Sequence, residues 1–365
     1  MFGELPAVML SAAKDLVRRT TRLFAALSMT GRGALPERSV SRGHATAVAS
    51  ADDEAGHPRT VRPRVLVLVY NPTMHSCGGK SLIEVCGYND PEPLTRAYVE
   101  DLAMVSGSYL QYEIVETRRV DGFPRKADGF CYDEESYLRC WRASTGWHQP
   151  DAVDYEAVLR EADMVGRVEA GELDELWVWA PPYGGFWESH MIGRGAFYCN
   201  SEPLQLPSCD RRFIAMGFSY ERGVGEMLEN FGHRAESMLT HAFGSWRDWG
   251  GSENHAWDHF TAYDLVRPGQ AGCGNVHFAP NSERDYDWGN PRSVLSDCDA
   301  WPVYPNGAHE KRPVDGREWG GGDIRAHHKW WLAHLPRSAG QTDGVHDNWW
   351  TYLVLPDRQS VRGRG

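Results

Sequence analysis

The sequence lacks the short motifs of several common enzyme classes. No Cys-x-x-Cys pair occurs, which excludes a zinc ribbon. Neither a Gly-x-Ser-x-Gly elbow nor a Gly-x-Gly-x-x-Gly turn after a strand is present, so a serine hydrolase and a dinucleotide-binding fold have no support. The Gly79-Lys80-Ser81 stretch is not a phosphate-binding loop, because Met74 stands where that loop needs its first glycine. We therefore expect no bound nucleotide.

Basic charge and long apolar runs are also scarce. The formal net charge is −12, and the one arginine-dense stretch lies near the N-terminus, so we expect no nucleic-acid partner. No apolar run reaches the roughly 18 residues of a membrane-spanning helix, so we expect no membrane span. A small molecule or a glycan is the expected partner, and the sequence leaves the oligomeric state open.

The chain divides by composition into four parts. Residues 1–60 are rich in arginine, alanine and serine and are expected to form a disordered arm or a leader. Residues 61–270 alternate strand and helix patterns, which predicts an α/β core with a mostly parallel sheet and helices on both faces. Residues 271–356 predict a long, irregular, loop-rich C-terminal extension packed on that core. Residues 357–365 are expected to be a disordered tail.

Apolar periodicity places the individual elements. Continuous β-branched and apolar runs predict buried strands, and apolar residues three and four apart predict helices. The predicted strands are residues 64–70, 109–115, 176–180, 213–218 and 351–355, and the predicted helices are residues 92–105, 154–169, 224–243 and 324–335.

The loops after the predicted strands are the expected place of the site. Ligands of open parallel sheets bind beyond the carboxyl ends of the strands. We assign catalysis to Glu188, Glu221, Arg222 and His233, substrate binding to Asn71, His75, Tyr183, Trp187 and Asn281, and metal binding to His190, His233 and His277.

The predicted helix 224–243 carries an unusual polar face. Glu226, Glu229, His233 and Glu236 are spaced three, four and three residues apart and so share one side of the helix. Such a row can bind a divalent metal or hold a histidine in one tautomer. A solvated face is the alternative. Histidine and glycine are poor choices for a plain surface helix, which favours a site.

Two later segments offer further polar candidates with ordinary alternatives. His277 lies in an apolar setting where a core histidine is as reasonable as a ligand. The nearby acids Asp285 and Asp287 resemble a calcium loop but lack its residue order. His327 and His334 share a face of the last predicted helix, where packing is the simpler interpretation.

Cysteine and tryptophan are both patterned. The eight cysteines form local pairs, 77/86, 131/140, 199/209 and 273/298, which predicts disulfides and a secreted protein; eight reduced thiols are the alternative. The fifteen tryptophans indicate either aromatic core packing or platforms for sugars and other flat ligands.

Three functions remain compatible with these patterns. The first is a hydrolase that uses histidine and carboxylate chemistry, either with one divalent metal, zinc first, or with two carboxylates at a glycosidic bond. The second is a non-catalytic glycan-binding protein with tryptophan and tyrosine platforms. The third is an amidotransferase-like enzyme with Cys77 or Cys199 as the nucleophile.

Three segments, residues 220–237, 274–291 and 327–336, are similar to an uncharacterised bacterial protein family of no known activity. The resemblance implies a bacterial origin and a single architecture over most of residues 64–355. It implies no activity, cofactor or site residue.

Overall fold

A six-stranded sheet organises the chain in this computed structural model, which describes residues 60–246, 255–354 and 356. The predicted arm, except Thr60, and the predicted tail lie outside the described residues. The strands are β1 (Arg64–Tyr70), β2 (Thr73–Met74), β3 (Lys80–Ser81), β4 (Glu113–Val120), β5 (Glu175–Ala180), β6 (Ser189–Gly193), β7 (Leu204–Gln205), β8 (Phe213–Ser219), β9 (Val294–Ser296), β10 (Arg312–Val314), β11 (Arg337–Thr342) and β12 (Val345–Asn348).

Helices of very different length surround these strands. They are α1 (Leu82–Cys86), α2 (Pro91–Val105), α3 (Glu134–Ala143), α4 (Tyr155–Glu161), α5 (Met164–Glu169), α6 (Val224–Phe243), α7 (Ala256–Phe260), α8 (Ile324–Ala333) and α9 (Trp350–Val354). Among the described helices, none combines the length and the apolar content needed to cross a bilayer.

The main sheet has the order β4-β1-β5-β8-β6-β7. Strands β4, β1, β5 and β8 run parallel, β6 pairs antiparallel with β8, and β7 runs parallel to β6. The predicted mostly parallel α/β fold is therefore confirmed. Two short hairpins, β9–β10 and β11–β12, lie apart from this sheet in the later part of the chain.

Side chains alternate across the central strands and build a core on each side. Val67 and Trp177 pack in a large apolar cluster with residues of α2 and α6. Leu68 and Val178, one position along, pack in a second cluster with residues of α4 and α5. Because successive residues of a strand face opposite sides, strands buried on both faces read as continuous apolar runs.

Two predicted strands differ from the structure. The edge strand β4 begins at Glu113 rather than at residue 109. Its side chains alternate between exposed and half-buried, so the strand is rich in charged residues and the search for apolar runs misplaced it. The predicted strand at residues 351–355 is wrong, because residues 351–354 belong to helix α9; residue 355 lies outside the described residues. There Trp350 stacks on Phe231 and the Leu353 carbonyl accepts from Arg234 Nε at 3.0 Å, so tertiary packing outweighs the β-branched composition.

The cysteine prediction is wrong. All eight cysteines lie in the described residues, each is a free thiol, and five of them are buried. The thiols sit within the apolar clusters and in loops instead of stapling the loops together. The same finding overturns the prediction of a secreted protein, which rested on the expected disulfides.

Candidate functional site

Three polar side chains converge between helix α6 and a later loop. Glu229 and His233 lie one turn apart on α6, and His277 reaches them from the segment that follows α7. The His233 and His277 Nε2 atoms are 3.1 Å apart. Glu229 Oε1 is 3.5 Å from His277 Nε2 and 4.0 Å from His233 Nε2. One ligand atom from each residue thus lies within 4.8 Å of the other two.

A glycine on α6 brings the loop close enough for this contact. A Cβ atom at Gly232 would lie 2.6 Å from Val276 Cγ2, so no larger residue fits there without a shift. The Val276 N–H in turn donates to Glu236 Oε1 at 3.0 Å. This close approach and this hydrogen bond fix His277, the next residue, against the helix.

A carboxylate holds the outer nitrogen of each imidazole. His233 Nδ1 lies 2.9 Å from Glu236 Oε2, and His277 Nδ1 lies 3.1 Å from Asp285 Oδ1. A metal-binding histidine nearly always donates its second N–H to such a partner, which fixes the ring and its tautomer. Both imidazoles therefore direct Nε2 at the space they share with Glu229.

A tyrosine hydroxyl completes the group. Tyr286 donates to Glu229 Oε1 at 2.7 Å and lies 3.1 Å from His277 Nε2. Its ring is 40% exposed, whereas Glu229 is 6% exposed. The tyrosine thus forms the border between the buried carboxylate and solvent.

The charges of the cluster are strongly coupled. Burial alone would raise the pKa of Glu229, but the hydrogen bond with His277 and the charge of His233 outweigh it and lower that pKa to about 2. Burial alone would lower the pKa of His277, but Asp285 and Glu229 raise it to about 10. For His233, Glu236 likewise outweighs burial and raises the pKa. The carboxylates therefore stabilise the protonated, positively charged forms of His233 and His277.

The solvated-face alternative for α6 is excluded. Glu229 and Glu236 are 6% and 7% exposed, and the segment around Val276 covers the side of the helix that carries them. Buried carboxylates are costly unless they are paired or bind a metal. Glu229 and Glu236 on this helix are therefore buried in the interior and not solvated.

Of the sequence-predicted residues, the structure brings His233 and His277 together, and Glu188 lies within electrostatic range of His233. Glu188 precedes β6, and its charge contributes to the raised pKa of His233 and of Tyr286. Asn200 Nδ2 donates to Glu188 Oε2 at 2.7 Å and orients the carboxylate.

His190 lies elsewhere. It is buried on β6, with Nδ1 2.7 Å from Ser201 Oγ, and its ring stacks on Tyr155 with centroids 4.3 Å apart. Tyr155 belongs to the core cluster on the opposite side of the sheet from α6. Burial lowers the pKa of His190 to about 4. The structure therefore does not bring it to the other two histidines.

The loops at the strand ends keep their own interactions. The Asn71 side chain accepts from the Ile83 N–H at 3.2 Å, at the start of α1, and His75 is exposed in a short 3₁₀ turn. Tyr183 stacks on Trp147 with centroids 4.1 Å apart. Each side chain is thus accounted for by a local structural role or by solvent.

The remaining predicted residues do not belong to the cluster, although one of them is a sequence neighbour of Glu188. Glu221 and Arg222 are exposed between β8 and α6. Asn281 is fully buried, and its Nδ2 donates to the carbonyls of Asn290 and Arg292, which ties a loop together. Trp187, next to Glu188, is 40% exposed.

Four members of the cluster were not assigned a site role from the sequence. Glu229 and Glu236 were visible only as part of a helical row, and Asp285 only as part of a loop resembling a calcium site. No sequence pattern indicated a site role for Tyr286. The Glu-x-x-x-His-x-x-Glu spacing of residues 229–236 was the available clue, because it places two acids on the same face as one histidine.

A second group, Cys298, Asp299 and His334, has ligand atoms within 4.8 Å of one another. The Arg312 guanidinium forms a two-point ion pair with Asp299 and lies 3.9 Å from the Cys298 sulfur. The Arg312 cation therefore already pairs with the carboxylate of this group. It is therefore a poorer metal site than the cluster on α6.

Comparisons of the chain with family models, with curated proteins and with solved structures gave no match. The resemblance of residues 220–237, 274–291 and 327–336 to a bacterial family stays a prediction.

Proposed function

We propose that this chain is a hydrolase that uses one divalent metal ion held by Glu229, His233 and His277. The observation that carries the proposal is the paired arrangement of the two imidazoles. Each has Nε2 in the shared space and Nδ1 against a carboxylate, Glu236 or Asp285. This is the arrangement that orients histidine ligands of metal enzymes.

The distance between the two imidazole nitrogens suits an ion of ordinary size, and the Glu229 carboxylate lies slightly farther away. When an ion binds nitrogen at about 2.0–2.1 Å, adjacent ligand atoms lie about 2.9–3.4 Å apart. The two Nε2 atoms, 3.1 Å apart, already meet this condition. Two imidazoles and one carboxylate are the donor set of several zinc hydrolases, and other divalent transition metals also accept it.

The surrounding residues supply the other parts of a hydrolytic site. The ion would polarise a water molecule, which Glu188 would deprotonate as general base. The Tyr286 hydroxyl, 2.7 Å from Glu229, would donate to negative charge that develops on the substrate. Arg222 and Glu221, first assigned to catalysis, have no part in this scheme because both are exposed in the loop after β8.

The C-terminal extension predicted at residues 271–356 would complete this site. It contributes His277, Asp285 and Tyr286, whereas the α/β core contributes Glu188 and the α6 residues. The exposed aromatic rings of Trp187 and Tyr286, each 40% exposed, would give the substrate an apolar or sugar face to contact. A small molecule or a glycan is therefore the proposed substrate class.

The glycan-binding alternative has less support. Eight tryptophans are fully buried, and Trp187 is the exposed one among those that the structure describes. A stacking platform made of several tryptophans is therefore hard to build from this chain. Core packing is the simpler use of these residues.

The cysteine-nucleophile alternative also has less support. Cys199 is fully buried, and burial raises its pKa to about 11, which disfavours the reactive thiolate. Its sulfur lies 3.6 Å from Ser189 Oγ rather than against an activating histidine.

Metal analysis tests the proposal directly. Tag-free wild-type protein, dialysed after incubation with Zn²⁺, should retain about one ion per chain, and His277→Ala should lose it. His346→Ala, which changes a histidine of the β11–β12 hairpin, should retain the ion. Equal metal content in wild type and His277→Ala would refute the ligand assignment.

An activity screen tests the hydrolytic step. The zinc-loaded protein should cleave at least one of a set of p-nitrophenyl esters, phosphates and glycosides, and chelation should abolish that activity. Glu188→Gln should keep the metal but lower kcat by roughly 100-fold, because the general base is lost. Full activity in Glu188→Gln would assign the base to another residue.

A further inference from the structure

A third histidine beside the cluster has the same arrangement as the two proposed ligands. His328 on α8 is fully buried, and its Nδ1 lies 2.8 Å from the Ile324 carbonyl oxygen. A carbonyl oxygen only accepts, so Nδ1 must carry the hydrogen and Nε2 must present a bare lone pair. That Nε2 atom is buried and has no hydrogen-bond partner among the residues that the structure describes.

The packing of α8 on α6 brings His328 within electrostatic range of Glu229. A Cβ atom at Gly225 would lie 2.4 Å from Ile324 Cγ2, so the two helices are in close contact one turn before Glu229 and His328. The charge of Glu229 acts on His328, and so do the charges of His233 and His277. The imidazole also meets Trp288 edge to face, with centroids 5.1 Å apart.

His328 adds an unsatisfied acceptor to this part of the interior. Its Nδ1 hydrogen is directed at the Ile324 carbonyl, so its Nε2 atom is a lone pair that needs a donor or a cation. An unpaired buried acceptor costs about 1–3 kcal/mol, so its retention calls for an electron-poor group that joins the cluster. A metal ion is small enough for a fully buried position, whereas an organic substrate is not.

We propose that His328 Nε2 is a fourth protein ligand of the ion, which rests on the metal site proposed above. His328 is not one of the three residues whose ligand atoms already lie within 4.8 Å of one another, so its ring would have to move toward Glu229 to bind the ion. Three imidazoles and one carboxylate would then hold the ion.

The neighbouring histidine provides a matched control. His327 is equally buried on the same helix and stacks on Trp288 with centroids 4.7 Å apart. Within the described part of the chain, neither of its ring nitrogens has a hydrogen-bond partner, so no contact fixes its tautomer as the Ile324 carbonyl fixes that of His328. Replacing His327 removes the same volume and the same ring from the same helix.

Cobalt binding tests this assignment without a known substrate. Metal-free wild type, His328→Ala, His327→Ala and His233→Ala are titrated with Co²⁺ by calorimetry, and the visible absorption of the bound Co²⁺ reports its ligands. We expect His328→Ala to bind at least roughly tenfold more weakly than wild type with a changed spectrum, and His327→Ala to resemble wild type. His328→Gln, which keeps the side-chain volume, replaces His328→Ala if circular dichroism shows that the latter is unfolded.

The outcomes distinguish failure of the fourth ligand from failure of the proposed function. Wild-type affinity and an unchanged spectrum in the His328 variant, together with loss of binding in His233→Ala, would overturn the fourth ligand and leave the proposed function standing. Absence of Co²⁺ binding in wild type, or equal binding in wild type and His233→Ala, would overturn the proposed function and this inference together.

Discussion

A buried ion pair beneath the cluster offers the sharpest test of how α6 is held. Arg234 is fully buried, and its guanidinium donates to Glu175 at 2.6 and 2.9 Å and to the Leu353 carbonyl at 3.0 Å. The hydroxyl of Tyr112 and the indole N–H of Trp177 also donate to Glu175, each at 3.0 Å. The guanidinium thus joins α6 to β5 and to α9.

Arg234→Met should lower the free energy of unfolding by about 3–5 kcal/mol. The change leaves the Glu175 carboxylate buried with two neutral donors, and breaking such a pair by removing one partner typically costs this amount. Because whole domains are stable by about 5–15 kcal/mol, the loss is a large share of the total. Urea unfolding of the metal-free protein, followed by tryptophan fluorescence, measures it.

The double variant supplies the control. Arg234→Met with Glu175→Leu should be markedly more stable than Arg234→Met alone, because replacing both charges of a buried pair by apolar groups is often nearly neutral. A single variant within about 1 kcal/mol of wild type would refute the reasoning, as would a double variant whose loss equals the sum of the two single losses.

Three further predictions concern the cluster itself. Glu236→Gln should weaken Zn²⁺ binding by roughly 10–100-fold in a competition titration, because His233 Nδ1 loses its carboxylate partner; unchanged affinity would contradict this. In metal-free protein, the pKa of His277, raised from 6.5 to about 10, should stabilise the fold fully below pH 6.5 and progressively less as the pH rises to about 10. Thermal unfolding between pH 6 and 10 should thus show a steeper decline in wild type than in His277→Gln, and parallel curves would count against it. Gly232→Ala should cost about 1–3 kcal/mol in urea unfolding and weaken metal binding, because the new methyl group displaces Val276; wild-type behaviour would show that the loop adapts freely.

The central strands were predictable because they are buried on both faces. Residues 64–70 were predicted and observed without change, and the predicted strands at 176–180 and 213–218 differ from β5 and β8 by one residue. The predicted helix 154–169 is instead two helices, because Asp163 has a left-handed backbone with φ of 50°. Local deviations of this kind leave little trace in apolar periodicity.

The sequence predicted only part of the candidate site. His233 and His277 were both predicted as ligands, and the structure brings their Nε2 atoms within 3.1 Å although the residues are 44 positions apart in the chain. The strand-end rule directed attention to the wrong loops, apart from Glu188, because the cluster lies along the second and third turns of α6. No periodic pattern could show that the segment around Val276 covers that helix, since this contact depends on Gly232 and on long-range packing.

The position of the cluster follows from a balance of buried charge. Glu229 and Glu236 are two carboxylates within one interior face, and burying them without compensation would cost more than the packing around them returns. In the metal-free protein, protons on His233 and His277 supply the opposing charge, which is why the pKa of each histidine is raised. A divalent ion would provide the same charge while releasing those protons. Metal and protons therefore compete for the nitrogen atoms of His233 and His277. The acids that stabilise the protonated histidines are therefore the same groups that would make the site strong for a metal.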